Sequence, residues 1–150
     1  SLLGVGTSAG ILCQKASFGC TIIDEDGVAA DHDIAVPSNM NDRGEALAWL
    51  AQEAQRIVEL NGVETVGLQK AGGGKFGGAS AERYEVEAAV QIGLHEAGAA
   101  LERLNREQVR AAMGEPKAKG AYEKLLNRAE VKARSNAVRR DQYLLALAVR

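Results

Sequence analysis

The sequence predicts an α/β domain built on a mixed five-stranded sheet, three strands antiparallel and then two parallel, flanked by helices in three layers. Three observations carry this expectation. Two apolar runs, the first β-branched and aromatic, flank Asp26-Gly27, a dipeptide that favours a tight hairpin turn. Leu47, Leu50, Ala54, Ile57 and Val58 then recur at helical spacing up to Asn61-Gly62. A strand-like run follows, and the strand–helix alternation repeats once more, which requires parallel pairing with crossovers. At 150 residues, 46% of them hydrophobic and 25% charged, the chain is long enough to bury its own core as one domain over residues 1–150.

Taken in order, residues 2–5 read as a short buried strand. Gly4-Val5-Gly6-Thr7-Ser8-Ala9 matches a dinucleotide-binding fingerprint in letter, but that motif needs a helix next, and Ile11, Leu12 and Cys13 followed by residues 18–23 read as strand. The glycines are therefore expected to shape a turn between antiparallel strands. Residues 28–36 form the return strand, with Asp31-His32-Asp33 as an exposed edge triplet. After the helix that closes at Asn61-Gly62 comes a strand over residues 63–68. Ser80 is placed to cap a second helix whose buried stripe is Val86, Val90, Gly93, Leu94 and Ala97. A strand over residues 99–104 and a capping box at Asn105 and Gln108 follow. Helices over residues 117–128 and 135–149 complete the chain.

Cys13 and Cys20 lack metal-ligand spacing and are expected to be reduced structural thiols. No run of 18 apolar residues and no basic segment before a long apolar one is present, so a soluble, cytoplasmic protein without a membrane partner is expected. Charge is uneven: residues 1–69 carry 10 acids and 3 bases, whereas residues 115–150 carry 4 acids and 9 bases. A basic end after an acidic front suits an anionic partner or a solvated helix face.

The order of three strands, helix, strand, helix, strand and helices resembles the RNase H-like fold over nearly the whole chain, and within it the RuvC-like Holliday junction resolvases. Their first strand carries a G-I-D-x-G-S type motif where this chain has Leu3-Gly4-Val5-Gly6-Thr7-Ser8. Their fourth strand ends in an A-I-E-x type motif where it has Val66-Gly67-Leu68-Gln69-Lys70, and their last helix carries a D-x-x-D-A-L-A type motif where it has residues 140–148 around Asp141. The loop Gly74-Lys75-Phe76-Gly77-Gly78 also resembles a short uncharacterised bacterial family with a G-K-F-A-G-G type loop.

The resemblance implies a phosphodiester-cleaving site in which carboxylates hold divalent Mg²⁺ or Mn²⁺. This chain departs from it. Gly6 and Gln69 stand where two acids are expected, and Asp141 is the one aligned acid that remains, with Glu87 as a candidate substitute. No cofactor is therefore expected unless nuclease activity survives. The glycine loop offers a different chemistry. Lys70, Gly73, Gly74, Lys75, Gly77 and Gly78, with Ser80 and Arg83 at the following helix start, would present backbone N–H groups and cations to a phosphate. Phe76 after Lys75 departs from a nucleotide-hydrolysing P-loop, which needs Ser or Thr there. Three functions follow: a catalytically degenerate resolvase-like domain that binds nucleic acid or another phosphate-bearing partner, an active nuclease with rearranged carboxylates, and a non-enzymatic homodimerisation module.

Overall fold

The computed structural model describes residues 5–72 and 79–150. Its sheet has the order β3-β2-β1-β4-β5, with β1 Thr7–Cys13, β2 Ser17–Ile23, β3 Ala29–Ala35, β4 Val63–Gln69 and β5 Ala100–Leu104. The pairs β1/β2 and β2/β3 are antiparallel, and β1/β4 and β4/β5 are parallel, as the alternation of elements requires. Two elements depart from the sequence reading. Among the described residues the first strand is Thr7–Cys13 and the chain turns toward β2 at residues 14–16, so Gly6 directly precedes β1; the strand expected at residues 2–5 falls largely outside the described residues. Ser8, Ala9 and Gly10 carry little β-propensity, and their place in the sheet is fixed by pairing on both sides and by burial.

Helices α1 Arg43–Asn61 and α2 Ala81–Glu96 cover one face. Alternate residues Ala9, Ile11 and Cys13 of β1 join Phe18, Cys20, Ile22, Val66 and Leu68 in a core against Leu50, Ala54, Val86, Val90 and Leu94. Asp42 caps α1 by accepting from Glu45 N at 2.8 Å, and Gly62 ends it in the left-handed conformation. Cys13 and Cys20 are free thiols in this core, and burial pushes each up to about 12.

The other face carries α3 Arg106–Ala112, α4 Ala121–Leu126, α5 Ala129–Lys132 and α6 Ala137–Ala148. The region read as one helix over residues 117–128 is thus a loop and then α4, with α5 as a further turn, and the Asn105–Gln108 capping box opens α3. Helix α6 lies directly on a floor of glycines. A Cβ at Gly10 would sit 1.8 Å from Gln142 O, one at Gly67 2.6 Å from Leu145 O, and one at Gly19 2.3 Å from Gln142 Nε2. Ser8 Oγ donates to Ala146 O at 2.8 Å, satisfying a carbonyl in the last helical turn.

Strand β3 is an edge strand as expected and Asp33 is exposed, but Asp31 and His32 are half-buried and both aspartates are paired. Arg134 pairs with Asp31 at 2.8 Å and Arg139 with Asp33 at 2.6 Å, while Thr21 Oγ1 donates to Asp31 Oδ1 at 2.7 Å. Arg139 also donates to Gln142 Oε1 at 2.9 Å within α6, so the side chain that ties α6 to β3 by charge is itself held in place. Gly10→Ala is expected to lower stability by about 3 kcal/mol, because the clash is with helix backbone that has no rotamer to change. Gly44→Ala, whose Cβ would meet its nearest neighbour at 3.5 Å inside α1, should leave stability equal or higher. Urea unfolding of both variants checks the contrast.

Candidate nucleic-acid interface

Strands β1 and β4 end at the same edge of the sheet, and three connections meet there: the turn after β1, the start of α1 and the start of α2. Arg43 joins them. Its Nη1 donates to Lys15 O at 3.3 Å, its Nη2 to Glu82 O at 3.0 Å and its Nε to Glu85 Oε1 at 2.9 Å. Ser80 caps α2 by accepting from Arg83 N at 3.3 Å. A backbone hydrogen bond within the residue holds the exposed Glu82 carboxyl below its ordinary range, with Ser80, Lys15 and Arg43 acting in the same direction. Among the described residues Arg83 makes no ion pair, and its Nε is buried without an acceptor.

Lys70 continues from β4, its N–H donating to Leu104 O at 3.0 Å, and its side chain is half-buried. Gly72 has φ 80°, and a Cβ there would lie 1.9 Å from Tyr84 Oη. Gly73, Gly74, Lys75, Gly77 and Gly78 lie outside the described residues, as does the loop resemblance built on them. Of the expected phosphate-binding set, the structure therefore places Lys70, Ser80 and Arg83 on one edge and adds Lys15 and Arg43 beside them.

The expected acid positions do not come together. Gly6 precedes the start of β1, whereas Gln69 ends β4; six residues of parallel strand separate the two levels, roughly 20 Å at about 3.3 Å per residue. Side chains that face α6 from β1 are Ser8 and Leu12, and Gly10 between them touches helix backbone. Leu12, beyond the Ile11–Leu68 pair, stands level with Gln69. Glu87 belongs to α2 on the opposite face of the sheet. It is 2% exposed, its Oε2 accepts from Ala71 N at 2.7 Å, and its Oε1 accepts from Arg103 at 2.6 and 2.7 Å. Asp141 accepts from Tyr122 Oη at 2.6 Å and from Arg106 Nη2 at 3.1 Å. Burial first, then that hydrogen bond, raises the Tyr122 hydroxyl above its ordinary range.

Gln69 is neutral, Gly6 is remote, and both oxygens of Asp141 are held by protein donors, so this donor set does not fit a pair of divalent ions. Among the described residues, no group of three or more His, Cys, Asp or Glu side chains is arranged to hold a metal. None of the described helices is long and apolar enough to cross a membrane.

The whole-chain topology nevertheless has close counterparts. Thermus thermophilus RuvC superposes with a TM-score of 0.68 at 14% identity, over 95% of this chain and 92% of that one. The fold is RuvC-like. A second T. thermophilus RuvC structure, in complex with a Holliday junction substrate, gives a TM-score of 0.64 at 17% identity over 96% of this chain and 92% of that one. No protein-family model matches the sequence, and no curated protein matches it at a significant level. At such identities the RuvC-like comparison speaks to topology, and site chemistry rests on this chain's own residues.

Sequence reasoning missed Lys15, Arg43, Arg103, Arg106 and Tyr122. Each acts through a partner at least 16 residues away, which no local pattern announces. Glu87→Gln should lower stability by about 2 kcal/mol in urea unfolding, because two charge-assisted contacts weaken at once. A gain in stability would instead mark Glu87 as a strained functional acid.

Proposed function

We propose that this chain is a nucleic-acid-binding domain with a RuvC-like fold and a degenerate carboxylate centre. The observation that carries this reading is the contrast between two sets of residues. Lys15, Lys70 and Arg83 are carried by segments that meet at the edge where β1 and β4 end, beside an Arg43 paired with Glu85, while Glu87 and Asp141 lie on opposite faces, each engaged by an arginine. Cations at a strand edge serve a phosphate backbone without reading sequence. Support also comes from the solved RuvC bound to a Holliday junction substrate, which gives this topology a precedent on branched DNA.

Fluorescence anisotropy with branched, single-stranded and duplex DNA tests the proposal. Binding should weaken as salt rises, and Lys70→Ala or Arg83→Ala should each flatten the slope of log K against log salt by on the order of one unit. Incubation with Mg²⁺ or Mn²⁺ should leave the DNA intact. Absence of binding at low salt to all three would end the reading, and cleavage abolished by Asp141→Ala would replace it with an active nuclease.

A second reading, homodimerisation through α2, is favoured by one observation. A groove of about 550 Å³ between α1 and α2 is lined by Leu47, Ala51, Ala88, Ile92 and Gly93, with Ile92 58% exposed. Light scattering should then report a dimer that Ile92→Asp dissociates; a monomer at high protein concentration would remove this reading.

A further inference from the structure

Between the start of α6, the end of α4, helix α5 and the first residue of α3 lies a pocket of about 140 Å³ whose polar lining is Arg106, Asn127, Lys132, Arg140 and Asp141. We propose that it is a binding site for a single phosphate group. Three cations face one carboxylate, leaving a net charge of +2. Asp141 opposes an anion little, because Arg106 and the Tyr122 hydroxyl already engage its two oxygens.

Two of the three cations are anchored, and the third is free to reach in. Arg106 lies over the Tyr122 ring with its guanidinium carbon 4.7 Å from the centroid, and it uses Nη2 on Asp141. Arg140 donates through Nη2 to Lys132 O at 3.3 Å, which ties α6 to α5, while its Nε is buried with no acceptor. Such a donor is costly until an acceptor arrives. Lys132 is exposed and makes no ion pair among the described residues. A guanidinium fork, a second guanidinium and an ammonium around one small space suit an oxyanion with several acceptor oxygens.

Size and charge narrow the class. The volume of about 140 Å³ is ample for one tetrahedral group. A residual charge of +2 matches a phosphate monoester or orthophosphate, both near −2 at neutral pH, better than a phosphodiester or a carboxylate. The phosphate is therefore either free in solution or the terminal group of a nucleic-acid strand. The second source rests on the nucleic-acid reading above; the first does not. Arg106 follows β5 by two residues, and Leu104 pairs with Gln69, so the pocket opens beside the same sheet edge as Lys70.

The test uses the full chain at low ionic strength. Sodium phosphate titrated against sodium chloride of equal ionic strength should move the backbone amide resonances of Asn127, Lys132 and Arg140. Lys132→Ala should weaken that binding about tenfold, and Lys119→Ala, an exposed lysine outside the pocket, should leave it unchanged. Equal response to phosphate and chloride, or an unaltered affinity in Lys132→Ala, overturns the proposal. Oligonucleotides with 5′-phosphate and 5′-hydroxyl ends then separate the sources. Tighter binding of the phosphorylated end assigns a strand terminus, and equal binding assigns free phosphate. Phosphate binding without any affinity for DNA would overturn the nucleic-acid reading and leave the pocket standing.

Discussion

The close seat of α6 on β2, β1 and β4 is the contact on which the rest of this half of the molecule depends. Helix backbone meets strand backbone across Gly10 and Gly67, a separation that a single methyl group would prevent. Dispersion at that range is strong only because nothing intervenes, and it fixes the height of the helix above the sheet. The polar contacts then fix its rotation and register: Ser8 holds Ala146, and Thr21, Gln142 and Arg139 form a connected group. Gln142 is fully buried, and its amide nitrogen has no acceptor, so the group constrains position at some cost in stability. Through Asp141 the same helix locates Tyr122 of α4 and Arg106 of α3.

Part of the charge asymmetry of the sequence is met internally. Arg134 and Arg139, from the basic end, pair with Asp31 and Asp33 from the acidic front, and Lys124 and Arg128 converge on Glu115. Lys117, Lys119 and Lys132 remain exposed, so composition overstated, without erasing, the charge left to meet a polyanion.

Much of the architecture was legible because it rests on local signals. Alternating and helical periods, Asn61-Gly62, the Ser80 cap and the Asn105–Gln108 capping box all lie within a few residues of what they determine. The start of β1 was not legible, since Ser8 to Gly10 owe their conformation to neighbours on both sides and to a helix more than 130 residues later. The motif match displaced the first strand for the same reason, taking Gly6 as its centre. The phosphate-binding set was legible in part: Lys70, Ser80 and Arg83 follow from the glycine loop and the helix start, whereas Arg43 and Lys15 enter only when two distant turns meet. Asp141 carried its motif but not its partners, and its engagement by Arg106 and Tyr122 exists only in three dimensions.

The glycine floor also orders events in time. The face of β2, β1 and β4 that α6 covers is completed by residues 137–148, the last helix of this sequence. While the chain emerges from its N-terminus, the first three strands can pair and α1 can pack behind them, but that face stays open to water and to other chains. Its contacts with α6 span well over a hundred residues, so loop closure must precede most of their reward, and slow maturation with a vulnerable half-covered sheet follows from the topology.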